Sequence, residues 1–319
     1  MSNIEQYKKL TGGLRKSTDP RVWQYNNIVY NSSSGNYEDF PATFRLWDSA
    51  IKNQQDKSTC VAHALASAME ILEYYDTGNR DQFSTSWYYG YRQNTDYQGE
   101  GMSIVEALEN ARTIGGVHKS LMPDNLHYVH MSKLIQNMKE ECLSEAQKYR
   151  IKNYAEIKSV SAILEAIYHN NSPVIIGIDV YESFYNIGVD GIVPVPDIKN
   201  ERYYGGHAML CIGWTTIDND LYLVIKNSWG EDWGDNGYCY LKVNNDFPLY
   251  EMYLIFDEQN YNIDLTDIAG RWSESYIKDA IKMGILNGYP GGTFQPEKPI
   301  TREEIAVIIS KIMDKFKYL

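Results

Sequence analysis

The order of hydrophobic patterns between residues 40 and 257 constrains the fold more than any other feature of the chain. Apolar residues at helical spacing come first, in segments that begin near residues 58, 103 and 159. Short apolar runs bounded by Gly, Asn and Asp are typical of strands and follow at 173–178, 208–214, 221–225 and 237–241. A helical lobe followed by a β lobe predicts an α+β fold, with a cleft between the lobes where active sites commonly lie.

Two changes in texture divide the chain into three parts. Residues 1–38 are polar and weakly periodic, whereas residues 39–257 carry the helix and strand patterns. Residues 262–319 hold equal numbers of acidic and basic side chains and two helical patterns around a glycine-rich loop. Because two helices make a thin core, we expect this last part to pack on a partner.

Charge and composition exclude several classes of function. A formal net charge of −12 argues against a nucleic-acid-binding protein, which needs a basic surface. No run of eighteen apolar residues predicts a transmembrane segment. The first residues lack the apolar core of a signal peptide, which leaves the location uncertain. The histidines show no metal-ligand spacing, and His118, His127, His130 and His169 are expected at the surface, so we expect neither a metal nor another cofactor.

Four cysteines are too few for a disulfide scaffold in a chain of 319 residues. Three of them, Cys142, Cys211 and Cys239, lie in apolar contexts and are expected to be reduced and buried. The fourth, Cys60, opens the first predicted helix, which Ser58 or Thr59 can cap. Unpaired backbone N–H groups and the helix dipole favour a thiolate there, although such a cysteine is more often only a small buried residue.

Three residues from other parts of the chain favour a catalytic role for Cys60. The Gln54 amide, six residues upstream, could reach an oxyanion beside the Cys60 N–H. His207 opens a predicted strand after two glycines, and Asn227 follows the next strand and could hold the imidazole in one orientation. Nucleophilic catalysis requires such a nucleophile, base and orienting group.

These residues lie in motifs that resemble those of the papain-like cysteine peptidases. Three segments carry the resemblance, and they are IKNQQDKSTCVAHALA from residue 51, GGHAMLCIGW from residue 205 and IKNSWGEDWGDNGY from residue 225. Residues 40–48 are similar to the start of the family's mature enzymes, and the motifs occur in the family's order. The resemblance implies a papain-like fold of two lobes, one helical and one resembling a β-barrel.

The resemblance also implies a role for each matched residue. Cys60 would be the nucleophile and His207 the general base and then the general acid. Asn227 would orient His207, Gln54 would donate to the oxyanion, and Trp229 would shield the bond between Asn227 and His207 from water.

Several positions depart from the family's pattern. Lys57 replaces the structural half-cystine, and Val61 replaces the tryptophan that follows the nucleophile. The family has glycines in its substrate cleft, and in the corresponding segment of this chain only Gly101 is retained. Met102 follows it and is expected to line the pocket for the second residue on the acyl side of the substrate. The neighbours of the candidate base, Gly206 and Ala208, are also expected to contact substrate.

His63 lies about one helical turn after Cys60. It is either an alternative base or a packed histidine on a buried helix. We expect the packed histidine, because its side chain follows its own face of the helix.

Residues 267–304 resemble one S-layer homology motif, which its family uses, usually in threes, to bind secondary cell-wall polymers of Gram-positive-type envelopes. Arg302 lies in the family's Thr-Arg-Ala-Glu position and is expected to contact anionic sugar groups, although it could be only a solvated residue of the helix's first turn. With only one copy, the module could form a trimer or serve only for packing. Trp272, Tyr289 and Phe294 are expected in its small core.

The sequence therefore predicts a cysteine endopeptidase, with peptide or protein substrates, near a bacterial cell surface. One alternative is a peptidase or amidase that cuts peptidoglycan cross-bridges, and another is a catalytically blocked module that binds the cell wall. Residues 1–38 are too few for the family's usual prodomain. They are either an inert extension or a short peptide that blocks the cleft.

Overall fold

A computed structural model of the protein describes residues 13–15, 40–92, 100–128, 130–131, 139–243, 249–256, 265–282, 285–286 and 293–316. The helices of these residues are α1 (Cys60–Thr77), α2 (Thr85–Gly90), α3 (Ile104–Thr113), α4 (Lys139–Ala146), α5 (Val160–Asn170), α6 (Glu182–Tyr185), α7 (Glu274–Lys282) and α8 (Arg302–Phe316). None of the helices in this part of the chain has the length and apolar character needed to cross a membrane.

The strands of the described residues form one sheet. They are β1 (Phe44–Arg45), β2 (Asn153–Glu156), β3 (Val174–Tyr181), β4 (Ile192–Val193), β5 (Tyr203–Ile217), β6 (Asp220–Lys226), β7 (Tyr238–Lys242) and β8 (Leu249–Phe256). Their order is β2-β8-β3-β5-β6-β7-β4, with β1 paired to β5. The pairs are antiparallel except β4 with β7. Between residues 40 and 256 most of the helices precede most of the strands, which confirms the α+β prediction.

Helix α1 is the central element of the fold because it is buried all round from Cys60 to Leu72. A helix that is apolar all round belongs in the interior, and its alanines allow neighbours to approach closely. It packs on β5 on one side and on α2 and α3 on the other. The first residue of α1 therefore lies where the helical half of the molecule meets the sheet.

The start of α1 differs from the prediction that a Ser58 or Thr59 side chain caps it. Thr59 is the N-cap residue, but its side chain makes no capping hydrogen bond. A capping side chain needs an extended backbone, and Thr59 has φ −110° and ψ 20°. The serines that precede α3 and α5 are extended, and Ser103 and Ser159 do cap those helices as their positions suggest.

A buried ionic network holds the segment before Cys60 between helix and sheet. The Lys226 ammonium, at the end of β6, bonds to the Asp48 carboxylate at 3.2 Å and to the Ser49 backbone carbonyl. Glu70 of α1 accepts from Lys52 at 2.6 Å and from the Ser49 hydroxyl. Buried charges are tolerated when they are paired and hydrogen-bonded in this way. The network therefore joins α1, β6 and residues 48–52.

The C-terminal module has a small core of its own. Its buried residues are Leu265, Ile268, Ile277 and Ile281, against which Leu286 and Phe294 pack. The predicted capping box is confirmed, since Thr301 N–H donates to the Glu304 carboxylate at 2.7 Å and Glu304 N–H donates to the Thr301 hydroxyl at 3.1 Å.

One prediction about the module's apolar side chains was wrong. Trp272 is 88 % exposed and does not belong to the core. Helix α8 also leaves Ile305, Ile309 and Met313 exposed. Two short helices enclose too little volume to cover both of their apolar faces. Tyr289 lies outside the described residues.

Candidate active site

The fold brings Cys60 to the edge of strand β5. Its side chain is fully buried, and the backbone N–H of Ala208 lies near enough to its sulfur to act in favour of the thiolate. The start of a helix also directs unpaired N–H groups at this side chain. The residue before Ala208 is His207, so the fold brings together the two segments that carry the sequence-predicted nucleophile and base, although 147 residues separate them.

Hydrogen bonds fix the imidazole of His207 in one orientation. The Asn227 amide oxygen lies 2.8 Å from His207 Nε2 and also accepts from the Ser228 backbone N–H. Because this oxygen is an acceptor, Nε2 carries the proton and Nδ1 is the basic nitrogen. The buried Nδ1 has no hydrogen-bond partner in the part of the chain that the structure describes. Nδ1 is therefore the nitrogen that can exchange a proton with a thiol.

Aromatic rings cover the bond between His207 and Asn227. The Trp229 ring centre lies 4.9 Å from that of His207, and Trp229 is buried. Tyr185 stacks on Trp229 at 5.5 Å, and Phe184 meets the same indole edge-on at 5.5 Å. The indole was singled out from the sequence. Tyr185 was not, because it lies in a short helix with no motif around it.

The Gln54 amide is held beside the start of α1 by two hydrogen bonds. Its Nε2 donates to the Lys57 carbonyl at 2.7 Å, and its Oε1 accepts from the Ser228 hydroxyl at 2.7 Å. The backbone N–H of Gln54 also donates to the Ser228 carbonyl at 2.8 Å. Sequence reasoning missed Ser228, although it stands between two of the motif residues. It fixes the orientation of the Gln54 amide, with the oxygen toward Ser228 and the nitrogen toward Lys57.

Residues 13–15 lie in the cleft between the lobes. Gly13 accepts from Met102 N–H at 2.8 Å, and Arg15 N–H donates to the Met102 carbonyl at 3.0 Å. Leu14 N–H donates to the Gly206 carbonyl at 3.4 Å, and its side chain is buried. A short piece of the N-terminal part is thus bonded to both walls of the site.

Gly13 lies against the sulfur of Cys60. A Cβ atom on Gly13 would be 3.1 Å from Cys60 Sγ and 2.8 Å from the Ser58 carbonyl oxygen. Glycine is therefore required here for the backbone to approach this closely. The opposite wall needs a glycine as well, because Gly101 has φ +92° and a Cβ there would meet the Gly13 carbonyl oxygen at 2.8 Å.

The residues expected to contact substrate line this occupied cleft. Met102 and Gly206 bond to residues 13–15 through their backbones, and Gly101 packs against Gly13. The backbone N–H of Ala208 instead lies near the sulfur of Cys60, where it acts against the rise of the thiol's pKa. Met102 is fully buried with residues 13–15 in place.

Burial decides the protonation states of the two candidate catalytic groups. Desolvation raises the pKa of Cys60 to about 11, against the smaller opposing effect of the Ala208 N–H. Desolvation lowers the pKa of His207 to about 4, although its bond to Asn227 acts in the opposite direction. The closed site therefore holds a neutral thiol and a neutral imidazole rather than the thiolate favoured by the helix start.

His63 is a packed histidine, as expected. It is buried, and its Nδ1 lies 2.9 Å from the Thr59 carbonyl oxygen. Desolvation lowers the pKa of His63 to about 4. His118 differs from its expected surface position, since it is half-buried and lies 3.0 Å from the Glu145 carboxylate.

Cys142, Cys211 and Cys239 are buried free thiols, as predicted. In the described part of the chain no three acidic, histidine or cysteine side chains gather in a group that could hold a metal ion. Arg302 is exposed in the first turn of α8.

A two-lobed α+β fold with a cysteine, a histidine–asparagine pair and a glutamine gathered in its cleft has the form of a thiol peptidase. Comparison with known families identifies the group. Residues 45–261 match the papain family of cysteine proteases, and residues 264–306 match the S-layer homology domain. The chain therefore belongs to the papain family of cysteine proteases. Its S-layer homology domain indicates association with a cell surface or S-layer.

Similar proteins come from distant organisms. Peptidase 1 of Dermatophagoides pteronyssinus is 27 % identical over 170 residues, which cover 49 % of this chain and 52 % of that protein. A gut-specific cysteine proteinase of Caenorhabditis elegans is 37 % identical over 90 residues, 28 % of this chain and 26 % of that protein. The chain spans about half the length, or less, of these curated relatives.

Solved structures share the fold. Xylellain, a cysteine protease from Xylella fastidiosa, superposes with a TM-score of 0.65 at 22 % identity, over 78 % of this chain and 97 % of that one. The digestive procathepsin L 3 of Tenebrio molitor larval midgut gives a TM-score of 0.57 at 17 % identity, over 80 % of this chain and 79 % of that one.

Stability should fall as the pH is lowered from about 6.5 to about 4. His63 and His207 stay neutral in the folded chain down to a pKa of about 4, whereas unfolded histidines protonate near pH 6.5. The unfolded state therefore binds more protons in this interval, and the free energy of unfolding decreases with acidification. Urea denaturation at a series of pH values measures this slope.

The variant His63→Gln should have a smaller slope than the unsubstituted chain because one buried imidazole is gone. The matched control His169→Gln removes an exposed histidine and should leave the slope unchanged. Equal slopes for His63→Gln and the unsubstituted chain would contradict the buried neutral state of His63.

Proposed function

We propose that the protein is a cysteine endopeptidase that hydrolyses peptide bonds through Cys60, His207 and Asn227. The observation that carries the proposal is the nearness of the Cys60 sulfur to Ala208, the residue that follows His207 in strand β5. The Nε2 atom of His207 is in turn bonded to Asn227. Because Nε2 is bonded to Asn227, Nδ1 is the nitrogen of His207 that remains to act as the base. A nucleophile, a base and an orienting amide are the parts that acyl transfer needs.

In the proposed mechanism each step assigns a role to one of these groups. His207 Nδ1 takes the thiol proton, and the Cys60 sulfur attacks the peptide carbonyl carbon. The negative charge on the carbonyl oxygen is met by the Cys60 backbone N–H and the Gln54 amide, a kind of donor worth about 3 kcal/mol. The tetrahedral intermediate collapses, and His207 gives the proton to the leaving amine.

The second half of the reaction regenerates the enzyme. Water attacks the thioester carbonyl while His207 accepts one of its protons. The C–S bond then breaks, a carboxylic acid leaves, and the thiol recovers a proton. Trp229 keeps water from competing for the hydrogen bond between Asn227 and His207 during these transfers.

The variant Cys60→Ala should lose peptide hydrolysis by at least about 1000-fold, because without the sulfur no acyl-enzyme can form. Turnover of fluorogenic peptide amides by the full chain measures this loss. The same variant should not be labelled by an epoxide thiol reagent. The matched control Cys142→Ala removes a buried cysteine from α4 and should retain both properties. Peptide turnover by Cys60→Ala would contradict the proposal.

Wall-directed cleavage is the second candidate function, and the S-layer homology domain favours it. The same assay separates the two substrates. Cleavage of peptide amides by the unsubstituted chain supports a general endopeptidase. Lysis of purified peptidoglycan without peptide cleavage supports a cross-bridge peptidase or amidase.

We further propose that residues 1–38 block the cleft rather than form an inert extension. The support is the direction of residues 13–15. A substrate's acyl side must run toward the sulfur with rising residue number, because the attacked carbonyl is at its C-terminal end. Here Gly13 touches the sulfur and Arg15 lies farther along the Met102 wall, so the numbers rise away from the sulfur. A chain that runs in this direction covers the candidate nucleophile but does not present a carbonyl to it as a substrate would.

The variant Gly13→Leu should increase peptide turnover by about tenfold or more, equivalent to about 1.4 kcal/mol removed from the closed state. Any side chain at this position meets the Ser58 carbonyl, so the segment must leave the cleft. Initial rates of the full chain measure the change. The matched control Gly188→Leu alters an exposed glycine outside the cleft and should leave the rate unchanged. Equal rates for Gly13→Leu and the unsubstituted chain would indicate an inert extension.

We also propose that the C-terminal module holds the enzyme on a secondary cell-wall polymer. Arg302 is exposed, and a guanidinium pairs well with anionic sugar groups. The exposed Ile305, Ile309 and Met313 of α8 support self-association of the module as a trimer, because a single motif leaves this face uncovered.

The variant Arg302→Ala should weaken binding of the full chain to purified wall polymer by about tenfold, the value of one charge-assisted hydrogen bond. Calorimetry measures this affinity. Lys298→Ala, which removes another cation of the module, is the matched control and should have a smaller effect. Equal losses in both variants would indicate attraction by charge alone. Sedimentation of the full chain as a monomer would contradict the trimer.

A further inference from the structure

One buried imidazole near the candidate nucleophile has no part in the proposed mechanism. His63 lies on α1 three residues after Cys60, and its side chain is buried. Desolvation lowers its pKa to about 4, so the ring is neutral at about pH 7 and carries a single proton. Its Nδ1 lies 2.9 Å from the Thr59 carbonyl oxygen. Because that oxygen can only accept, the proton is on Nδ1 and His63 is a neutral donor.

The Thr59 carbonyl oxygen accepts two hydrogen bonds from the same residue. The His63 backbone N–H donates to it at 3.0 Å, which is the ordinary bond of the first helical turn. The His63 side chain donates the second, so both lone pairs of the oxygen are used. The Thr59 side chain does not help to hold its own backbone. It makes no capping bond, and among the described residues its hydroxyl has no hydrogen-bond partner.

The peptide group that His63 holds is the one that contains the Cys60 N–H. A peptide unit is planar and trans, so its C=O and N–H point in opposite directions. A Thr59 carbonyl fixed along the helix therefore fixes the Cys60 N–H outward from the start of α1. A hydrogen bond accepted by the carbonyl also polarises the peptide group and makes its N–H a stronger donor. This N–H is one of the two donors assigned to the oxyanion.

We propose that His63 is a positioning residue, which holds the peptide between Thr59 and Cys60 so that its N–H meets the charge on the attacked carbonyl oxygen. The inference rests on the proposed peptidase function and adds a residue that acts through the Cys60 N–H. Removal of the Nδ1–H should weaken stabilisation of the transition state and leave the nucleophile intact. If His63 served only to fill space beside α1, a ring of the same size would replace it without loss.

Two substitutions separate these roles, because each keeps one property of the imidazole. His63→Phe keeps a ring of similar size and removes the donor. His63→Asn loses the ring but places an amide N–H close to the position of Nδ1. In the full chain carrying Gly13→Leu, His63→Phe should lower kcat for a fluorogenic peptide amide by about tenfold and leave KM nearly unchanged. His63→Asn should recover most of this kcat despite the volume that it loses.

Three controls accompany the kinetics. Titration with an epoxide thiol reagent counts the folded sites, so a poorly folding variant does not lower the measured kcat. Alkylation of Cys60 by iodoacetamide needs the sulfur but no oxyanion donor, and its rate should agree within about twofold between His63→Phe and the Gly13→Leu chain. His169→Phe makes the same exchange at an exposed histidine and should leave kcat unchanged.

Each outcome bears on the inference. A lowered kcat in His63→Phe, recovered in His63→Asn and with unchanged alkylation, supports it. Equal kcat for His63→Phe and the Gly13→Leu chain overturns the role of His63 and leaves the peptidase intact. A kcat for His63→Asn at or below that of His63→Phe, or a parallel loss of alkylation, assigns His63 a structural role and overturns it as well. No turnover by the Gly13→Leu chain itself overturns the peptidase and this inference together.

Discussion

The meeting of the α1 N-terminus with strand β5 is the contact on which the rest of the structure depends. Cys60 is the first residue of α1, and its sulfur lies near the backbone N–H of Ala208 in strand β5. The positions of the other candidate groups are described best relative to this contact. His207 precedes Ala208, and Asn227 reaches His207 from the end of the neighbouring strand β6. A small shift of helix α1 against the sheet would separate the candidate nucleophile, which lies on α1, from the candidate base, which lies on β5.

Buried polar bonds hold that contact in place. Lys226 ends β6 immediately before Asn227, and it reaches the Asp48 carboxylate in the segment that leads to Gln54. Ser228, on the other side of Asn227, anchors the Gln54 amide. The candidate orienting residue therefore sits between two side chains that tie its strand to the loop before the nucleophile. Leaving any of these buried groups without its partner would cost stability, which favours one arrangement of the two lobes.

Residues 13–15 change the chemistry of the site as well as its access. Gly13 lies against the Cys60 sulfur, and the burial of Cys60 and His207 disfavours both the thiolate and the imidazolium through desolvation. The helix N-terminus favours the opposite state, but this effect is smaller than desolvation while the cleft is covered. Under the proposed function, removal of the segment would admit water and favour the ion pair of Cys60 and His207 that attack requires. The segment in the cleft and the neutral states of Cys60 and His207 would therefore both oppose attack on a substrate.

The sequence predicted the parts of this structure whose signal is local. Strand and helix order, the start of α1 at Cys60 and the capping box at Thr301 follow from patterns within a few residues. Ser228 was missed because its role depends on a loop 174 residues away. The exposure of Trp272 was predicted wrongly because the sequence shows that the module holds a large aromatic side chain, not that anything covers it. The contact of Gly13 with Cys60 likewise depends on how two distant segments meet.

The pH dependence of Cys60 alkylation tests the central claim most directly. Iodoacetamide is reacted with the full chain and with Gly13→Leu between about pH 5 and pH 10, and modification of Cys60 is followed by mass spectrometry. The account predicts that Gly13→Leu reacts rapidly well below the ordinary cysteine pKa of about 8.5, because an uncovered thiolate pairs with the His207 imidazolium. The unsubstituted chain should react slowly throughout. Identical profiles for both proteins, rising only near the ordinary cysteine pKa, would contradict it.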